Sequence, residues 1–217
     1  MKSLLNKELR LAASPLSFIF LSGALMTMLP GYPILMGSFF ICFGVFHSFQ
    51  HAREMNDTLY TVLLPVKKSD FVGVKYLFTV LIQGAGFLLC AALTALRLTA
   101  LCAAPPYLNN AMMNATPAYL AYVLLVFTAF NVFFVGGFFR TGYKLGLPFL
   151  AFGIAALLII ATGETLHHLP GLHFLNVPSG ERIPVQLGIL AAAALIYAAG
   201  TALSYKKSEK RFEKIDL

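Results

Sequence analysis

The sequence predicts an all-α polytopic membrane protein of six transmembrane helices, with both termini in the cytoplasm. Three observations carry that expectation. The first is composition: the 217 residues are 59% hydrophobic and 12% charged, with a mean hydropathy of +0.78. A soluble domain averages about 25% charged residues. One core cannot hide so much apolar surface, so the surplus faces lipid. The second is spacing, because the few charges divide the chain into apolar stretches near the roughly 20 residues that cross about 30 Å of hydrocarbon. The third is sidedness: Lys and Arg, which stay on the cytoplasmic side of membrane helices, fall almost wholly on one side of those stretches.

Residues 1–14 read as an amphipathic helix in the membrane interface. Leu4, Leu5, Leu9 and Ala12 share one side at helical spacing, while Lys2, Asn6, Lys7 and Arg10 spread over the rest. An ordinary juxtamembrane extension fits the same residues. Apolar residues begin in earnest only after Arg10, with no small-residue cleavage site, so the first span is expected to be retained.

Between Arg10 and Arg53 lie 42 residues without Lys, Arg, Asp or Glu, too many for one crossing and right for two. Pro30-Gly31-Tyr32-Pro33 parts them into spans at 15–29 and 33–49. The first is short, and a re-entrant hairpin competes with a full crossing there. The third span, 76–96, sits between Lys75 and Arg97. A polar loop follows with Pro105, Pro106, Asn109, Asn110, Asn114 and Pro117, then the fourth span at 118–139. Spans five and six occupy 145–162 and 183–204, and a basic cytoplasmic tail runs over 205–217.

On this count Lys2, Lys7, Arg10, Arg53, Lys67, Lys68, Lys75, Arg140, Lys144, Lys206, Lys207, Lys210, Arg211 and Lys214 share one face. They are fourteen of the sixteen basic residues; only Arg97 and Arg182 fall opposite. The net charge of +7 then reads as a basic rim beside anionic lipid, with no nucleic-acid partner.

The loop from Gln50 to Asp70 is the most informative segment. Asn56 or Asp57 can cap a short helix whose Leu59, Tyr60, Leu63 and Leu64 make one apolar face. Pro65 ends it, since the residue before proline avoids the helical region. Ser69 or Asp70 can cap the helix that becomes span three. A helix too short to span, with an apolar face, either docks in a protein groove or packs beneath its own bundle. The residues alone leave both open.

From Arg53-Glu54-Met55-Asn56-Asp57 through Leu64-Pro65-Val66-Lys67-Lys68 to Lys75-Tyr76, this loop resembles the first cytoplasmic loop of ABC type-2 permeases. These are the six-helix membrane subunits of ATP-binding cassette exporters. The N-terminal Leu4-Leu5-Asn6-Lys7-Glu8-Leu9 is similar to that family's opening helix. The resemblance is specific from Met1 to Tyr76 and rests on hydropathy beyond. It implies that the loop helix is the coupling helix that docks on an ATPase subunit. Glu54, Asn56 and Asp57 would then meet polar or basic groups, Tyr60, Leu63 and Leu64 would fill a groove, and Pro65 would end the element. It also implies a second permease half, identical or not, and a multi-pass protein of the bacterial cell membrane. The chain has no Gly-x-x-x-x-Gly-Lys-Ser/Thr loop, so the ATPase is expected on another polypeptide.

Other candidates for chemistry are thinner. Gln83 and Asn131 are the polar groups deepest in the spans, and such amides either bond across helices or line a cargo path. His47 is expected near the interface. Span four holds Phe127, Phe130, Phe133, Phe134, Phe138 and Phe139, for lipid contact, bundle packing or a sliding apolar cargo. Glu164, His167, His168, His173 and Glu181 gather in one external loop, but their spacing matches no zinc motif, and neither metal nor cofactor is expected. Pro178-Ser179-Gly180 lacks the facing histidine a membrane serine protease needs. Cys42, Cys90 and Cys102 read as small apolar fillers.

No charge lies well inside any span, which disfavours an ion-driven carrier and suits an exporter energised from outside the membrane. Its cargo would be hydrophobic or amphipathic: a peptide, a lipid-like molecule or a drug. The alternative is the six-helix substrate-binding subunit of a vitamin or metal importer, which would not need the Leu-Pro-Val loop. A lipid-modifying enzyme or protease is disfavoured by the lack of a buried His, Asp or Glu constellation.

Overall fold

In a computed structural model, residues 2–101, 104–108, 110–178 and 182–215 are described. Cys102, Asn109, Ser179, Gly180 and Glu181 lie outside these residues. The described chain is helical, with no strand among those residues. It opens with α1 (Lys2–Lys7), which continues as a π-helical turn over Glu8–Ala12. There the chain turns by 92° into α2 (Pro15–Ile19). Ser14 makes the corner: its backbone is extended, its hydroxyl accepts the Leu16 N–H, and Pro15 takes the first helical position.

α2 runs on as nine residues of 3-10 helix, Phe20–Met28. A 3-10 helix rises about 2.0 Å per residue against 1.5 Å for an α-helix. The segment Pro15–Met28 therefore reaches about 25 Å, close to the roughly 30 Å of hydrocarbon. The tighter winding lengthens what was a short stretch by residue count.

Next come α3 (Met36–Glu54), α4 (Asp57–Leu63) and α5 (Lys68–Thr99), then the single turn α6 (Pro105–Leu108). α7 (Pro117–Ala129) passes through a π-helical turn at Phe130–Val135 into α8 (Gly136–Phe138). α9 (Gly146–Leu166) and α10 (Ile183–Phe212) complete the chain. Four of these are long and apolar enough to cross a membrane: α5, the continuous Pro117–Phe138 helix, α9 and α10. The bent pair Ser3–Ala12 and Pro15–Met28 makes five if it counts as one span. α3 is not among them, because its second half carries His47, Gln50, His51, Arg53 and Glu54.

The helices run past the expected ends: α3 to Glu54, α9 to Leu166 and, furthest, α5 and α10. α5 starts at Lys68 with no side-chain cap, so Ser69 and Asp70 lie inside its first turn rather than capping it. At 32 residues it is about 48 Å long, well beyond the expected 76–96. The segment from 205 onward is not a loose tail either. α10 continues to Phe212, which is fully buried against Phe71 and Phe139, and the Lys68 ammonium donates to the Ile215 carbonyl at 2.7 Å.

The Pro117–Phe138 helix is the centre of the bundle. It is apolar around its whole circumference, as a helix enclosed by others should be, and it packs on α3, α5, α9 and α10. Of the six phenylalanines expected here, Phe127, Phe130, Phe134, Phe138 and Phe139 are buried, and Phe133 alone is exposed. Their density serves packing: Phe134 meets Phe46 and Phe49 edge-on, and Phe130 meets Phe152. By contrast α9 and α10 leave Leu150, Leu157, Leu158, Leu187 and Leu195 uncovered, the faces that suit hydrocarbon.

Small residues bring α3 and the α2 hairpin arm together. A Cβ on Gly37 would run into the Gly23 carbonyl, and one on Gly44 would sit 2.8 Å from the Phe20 Cβ. With backbones this close, hydroxyls bond across the gap: Ser17 Oγ donates to the Gly44 carbonyl at 2.6 Å, and Ser48 Oγ accepts the Ser14 N–H at 2.8 Å. Close approach through glycine and serine is how helices associate where lipid competes for every apolar contact.

Gly37→Ala should therefore cost about 1–3 kcal/mol through overpacking against backbone. Gly153→Ala and Gly188→Ala, whose Cβ positions meet nothing within 4 Å, should be neutral or stabilising by up to about 1 kcal/mol. Denaturant unfolding in micelles measures the contrast, and equal losses at all three positions would refute the packing account.

Candidate functional site

The short helix α4 stands between α3 and α5 at the basic end of the bundle. Asn56 makes the break from α3 by taking a left-handed backbone (φ 52°), which asparagine tolerates better than most residues. Its side chain makes no capping bond, so its part is the turn and not the expected cap. At the other end Leu64 is extended, as the residue before Pro65 must be.

The seven residues of α4 have two faces. Inward, Thr61 Oγ1 donates to the Asp57 carbonyl at 2.7 Å, and Lys7 reaches across from α1 to both Thr61 Oγ1 and the Asp57 carboxylate. Outward stand Leu59, Tyr60, Leu63 and Leu64, joined by Met55 at the end of α3. Tyr60 is 67% and Leu63 78% exposed. Of the two readings the sequence left open, packing beneath the chain's own bundle does not describe this face. Glu54 is also exposed, its carboxylate held by the Gln50 amide at 3.2 Å. Asp57, expected to point at a partner, instead turns toward the bundle.

Behind α4 lies a cluster of charges. The Lys75 ammonium on α5 is 1% exposed and sits 2.6 Å from the Glu8 carboxylate, itself 2% exposed. The second Asp57 oxygen is 3.5 Å away, and the rings of Phe49 and Phe71 lie 5.5 and 5.6 Å from the ammonium. Two lysines and two carboxylates thus balance with no net charge. They join the π-turn after α1, the head of α4 and α5, three elements far apart in sequence. Charges this deep persist only when each has its partner. Of the four, Asp57 alone had a place in the candidate site expected from the sequence. The overlooked signal was Glu8, the one acidic residue among the first fifty-three.

Deeper in the bundle, Gln83 and Asn131 meet as a reciprocal amide pair: each amide nitrogen donates to the other's carbonyl oxygen at 3.0 Å. Asn131 Nδ2 also donates to Thr201 Oγ1 at 2.9 Å, and Tyr197 OH donates to Gln83 Oε1 at 2.9 Å. The Asn131 carbonyl, which accepts the Gly136 N–H at the end of the π-helical turn Phe130–Val135, also accepts from Ser204 Oγ at 2.8 Å. Ser204 and Ser208 in turn share the Tyr76 hydroxyl at 2.7 and 2.9 Å. The two amides bond across helices and to one another, with both fully buried.

The opposite end of the bundle is tied by Arg97, which donates to the Thr27 carbonyl at 2.7 Å and to Asn114 Oδ1 at 3.0 Å and lies 4.1 Å over the Tyr107 ring. Glu164 belongs to the last turn of α9 and accepts the Met113 N–H at 2.9 Å. The His167 and His168 rings pack at 4.1 Å. Among the described residues no three His, Cys, Asp or Glu side chains converge on a point. His47 packs edge-on to Phe43 at 4.5 Å and stacks on Phe20. Cys42 and Cys90 are free and buried.

Compared with known proteins, a family described as "ABC-2 family transporter protein" matches residues 3–213. No curated protein and no solved structure matches.

The charge cluster makes a sharp prediction. Lys75→Met strands the Glu8 and Asp57 carboxylates in a dry site and should lower stability by about 3–5 kcal/mol. Adding Glu8→Gln to Lys75→Met should recover part of that loss. Denaturant unfolding in micelles tests both; a Lys75→Met protein as stable as wild type would mean the cluster is hydrated and unimportant.

Proposed function

Since the chain belongs to the ABC-2 family of transporter proteins, we propose that it is the permease subunit of an ATP-driven exporter, docked through α4 on a separately encoded ATPase. The observation that supports this best is the two-faced α4. Its polar side is secured to the bundle by Lys7 and Lys75, and its apolar side is left to solvent at Tyr60, Leu63 and Leu64. A membrane subunit that exposes such a face on the side of its cytosolic loops loses apolar burial unless another protein covers it. Aromatic and leucine anchors at the centre of a patch are also the groups that dominate association energies. In this reading Glu54 supplies the acidic contact at the rim, Asn56 and Pro65 set the limits of the element, and Asp57 fixes its pose from within.

The chain then crosses the membrane six times, through α2 with its 3-10 extension, α3, α5, the Pro117–Phe138 helix, α9 and α10. Both termini lie in the cytoplasm of a bacterium, with residues 1–14 along the interface. The chain supplies half of a translocation path, and a second copy or a related permease supplies the other half. The cargo is hydrophobic or amphipathic, since the groups at the middle of the crossing helices are the amides Gln83 and Asn131 and hydroxyls. Gln83 and Asn131, already satisfied by each other, lock helices together and contact cargo only if that pair opens.

ATP binding in the partner draws two ATPase subunits together, and the docked α4 helices carry that movement into the two permease halves. Co-purification with a separately encoded ATPase tests the docking. Tyr60→Ala with Leu64→Ala should weaken association by about 2 kcal/mol or more, roughly thirtyfold, while leaving the unfolding transition in place. Undiminished association of that variant sinks the assignment of α4.

A further inference from the structure

We propose that the crevice between α10 and the α7–α8 helix at the basic end of the bundle is a binding site for one anionic phospholipid, which takes the lipid's phosphate at Lys207 and Arg211 and an acyl chain along Gly200 and Gly136. This rests on the chain's place in a membrane family and not on how a partner drives it.

The crevice holds about 300 Å³. Gly136 and Gly200 line its floor and let the two helices close behind it: a Cβ on Gly136 would lie 2.7 Å from Ser204 Oγ, and one on Gly200 2.8 Å from the Thr128 methyl. Val132 and Leu203, both exposed, form apolar walls. Lys207 and Arg211 stand one helical turn apart on the same stripe of α10 as Gly200 and Leu203. Both are exposed, and neither has an ion-pair partner among the described residues. The polar groups at the back of the crevice are already satisfied: Ser204 and Ser208 bond to Tyr76, and Ser204 donates to the Asn131 carbonyl. The crevice therefore offers an apolar slot closed by two free cations, and no hydrogen-bonding groups that a polar solute would need along its length.

The dimensions agree with a lipid. From Gly200 to Arg211 is about 16 Å along the helix, close to half of the roughly 30 Å hydrocarbon thickness. Cations at the headgroup level thus place the glycine slot at the depth of the acyl chain. Basic pockets between membrane helices recognise anionic headgroups in this way, and each cation near an anionic surface contributes roughly fivefold to affinity. The pair accounts for roughly thirtyfold.

Native mass spectrometry of the delipidated full-length chain, titrated with phosphatidylglycerol or phosphatidylcholine of the same acyl chains, tests the site. Phosphatidylglycerol should bind at one equivalent at least tenfold more tightly than phosphatidylcholine. Lys207→Gln with Arg211→Gln should remove that preference, whereas Lys210→Gln with Lys214→Gln should keep it. Leu203→Gln, a change on the exposed wall, should weaken retention while leaving the unfolding transition in place. The proposal is overturned by equal binding of the two lipids, by an equal loss in the Lys210 and Lys214 variant, or by displacement of the lipid by glycerol 3-phosphate at comparable concentration. A dimer that forms with no lipid retained would assign the crevice to a second copy of the chain, and that also overturns it.

Discussion

The Lys75 ammonium is the point on which the basic end of this protein turns. It is buried, it is a full charge, and it belongs to the helix that runs the length of the bundle. Leaving it unpaired would cost several kcal/mol, so the chain must bring carboxylates to it, and it does so from two directions. Glu8 arrives because the segment after α1 winds as a π-helical turn and then bends by 92° at Ser14. Asp57 arrives because Asn56 accepts a left-handed backbone and starts α4 at once. The placement of α1, the pose of α4 and the outward exposure of Tyr60 and Leu63 all follow from satisfying one charge.

The middle of the bundle solves a related problem without charge. An amide in a dry interior needs four hydrogen bonds, and two amides facing each other supply half of each other's needs. Gln83 and Asn131 do this, and Thr201 and Tyr197 take up further positions. The π-helical turn keeps its backbone bond from the Gly136 N–H to the Asn131 carbonyl, and Ser204 adds a second donor to that oxygen from α10. One hydroxyl thus ties the irregular turn to α10, and π-turns of this kind are frequent at functional sites.

How far the sequence disclosed these features depended on whether each signal was local. Charge spacing revealed the helices, and Pro65 with its leucines revealed α4, since each is written in consecutive residues. The amphipathic start was also legible, but its π-turn was not, because the winding is imposed by Lys75, sixty-seven residues away. The first span looked short because its residues were counted at the α-helical rise, whereas Phe20–Met28 winds as 3-10 helix. The tail after 205 looked merely basic. Phe212 in its midst was the clue that it docks. Gln83 and Asn131 were visible as lone amides, yet nothing local announced that Tyr197, Thr201 and Ser204 on α10 would meet them. Their spacing of three to four residues along one stripe was the available sign.

The three polar clusters have one element in common, and its length is informative. α5 carries Lys75, Gln83 and Arg97, and from Lys75 to Arg97 is about 33 Å, nearly the hydrocarbon thickness. Each boundary of the apolar zone is thus marked on this helix by a buried, partnered cation. Between them it is an unbroken α-helix without proline, with Gly84 and Gly86 beside Gln83 at its middle. A displacement of its Lys75 end would load the Gln83–Asn131 pair first, and the Arg97 contacts to Thr27 and Asn114 as far as the helix stays straight. Movement of α4 would then reach the opposite end of the bundle through this one helix, because it holds all three anchors.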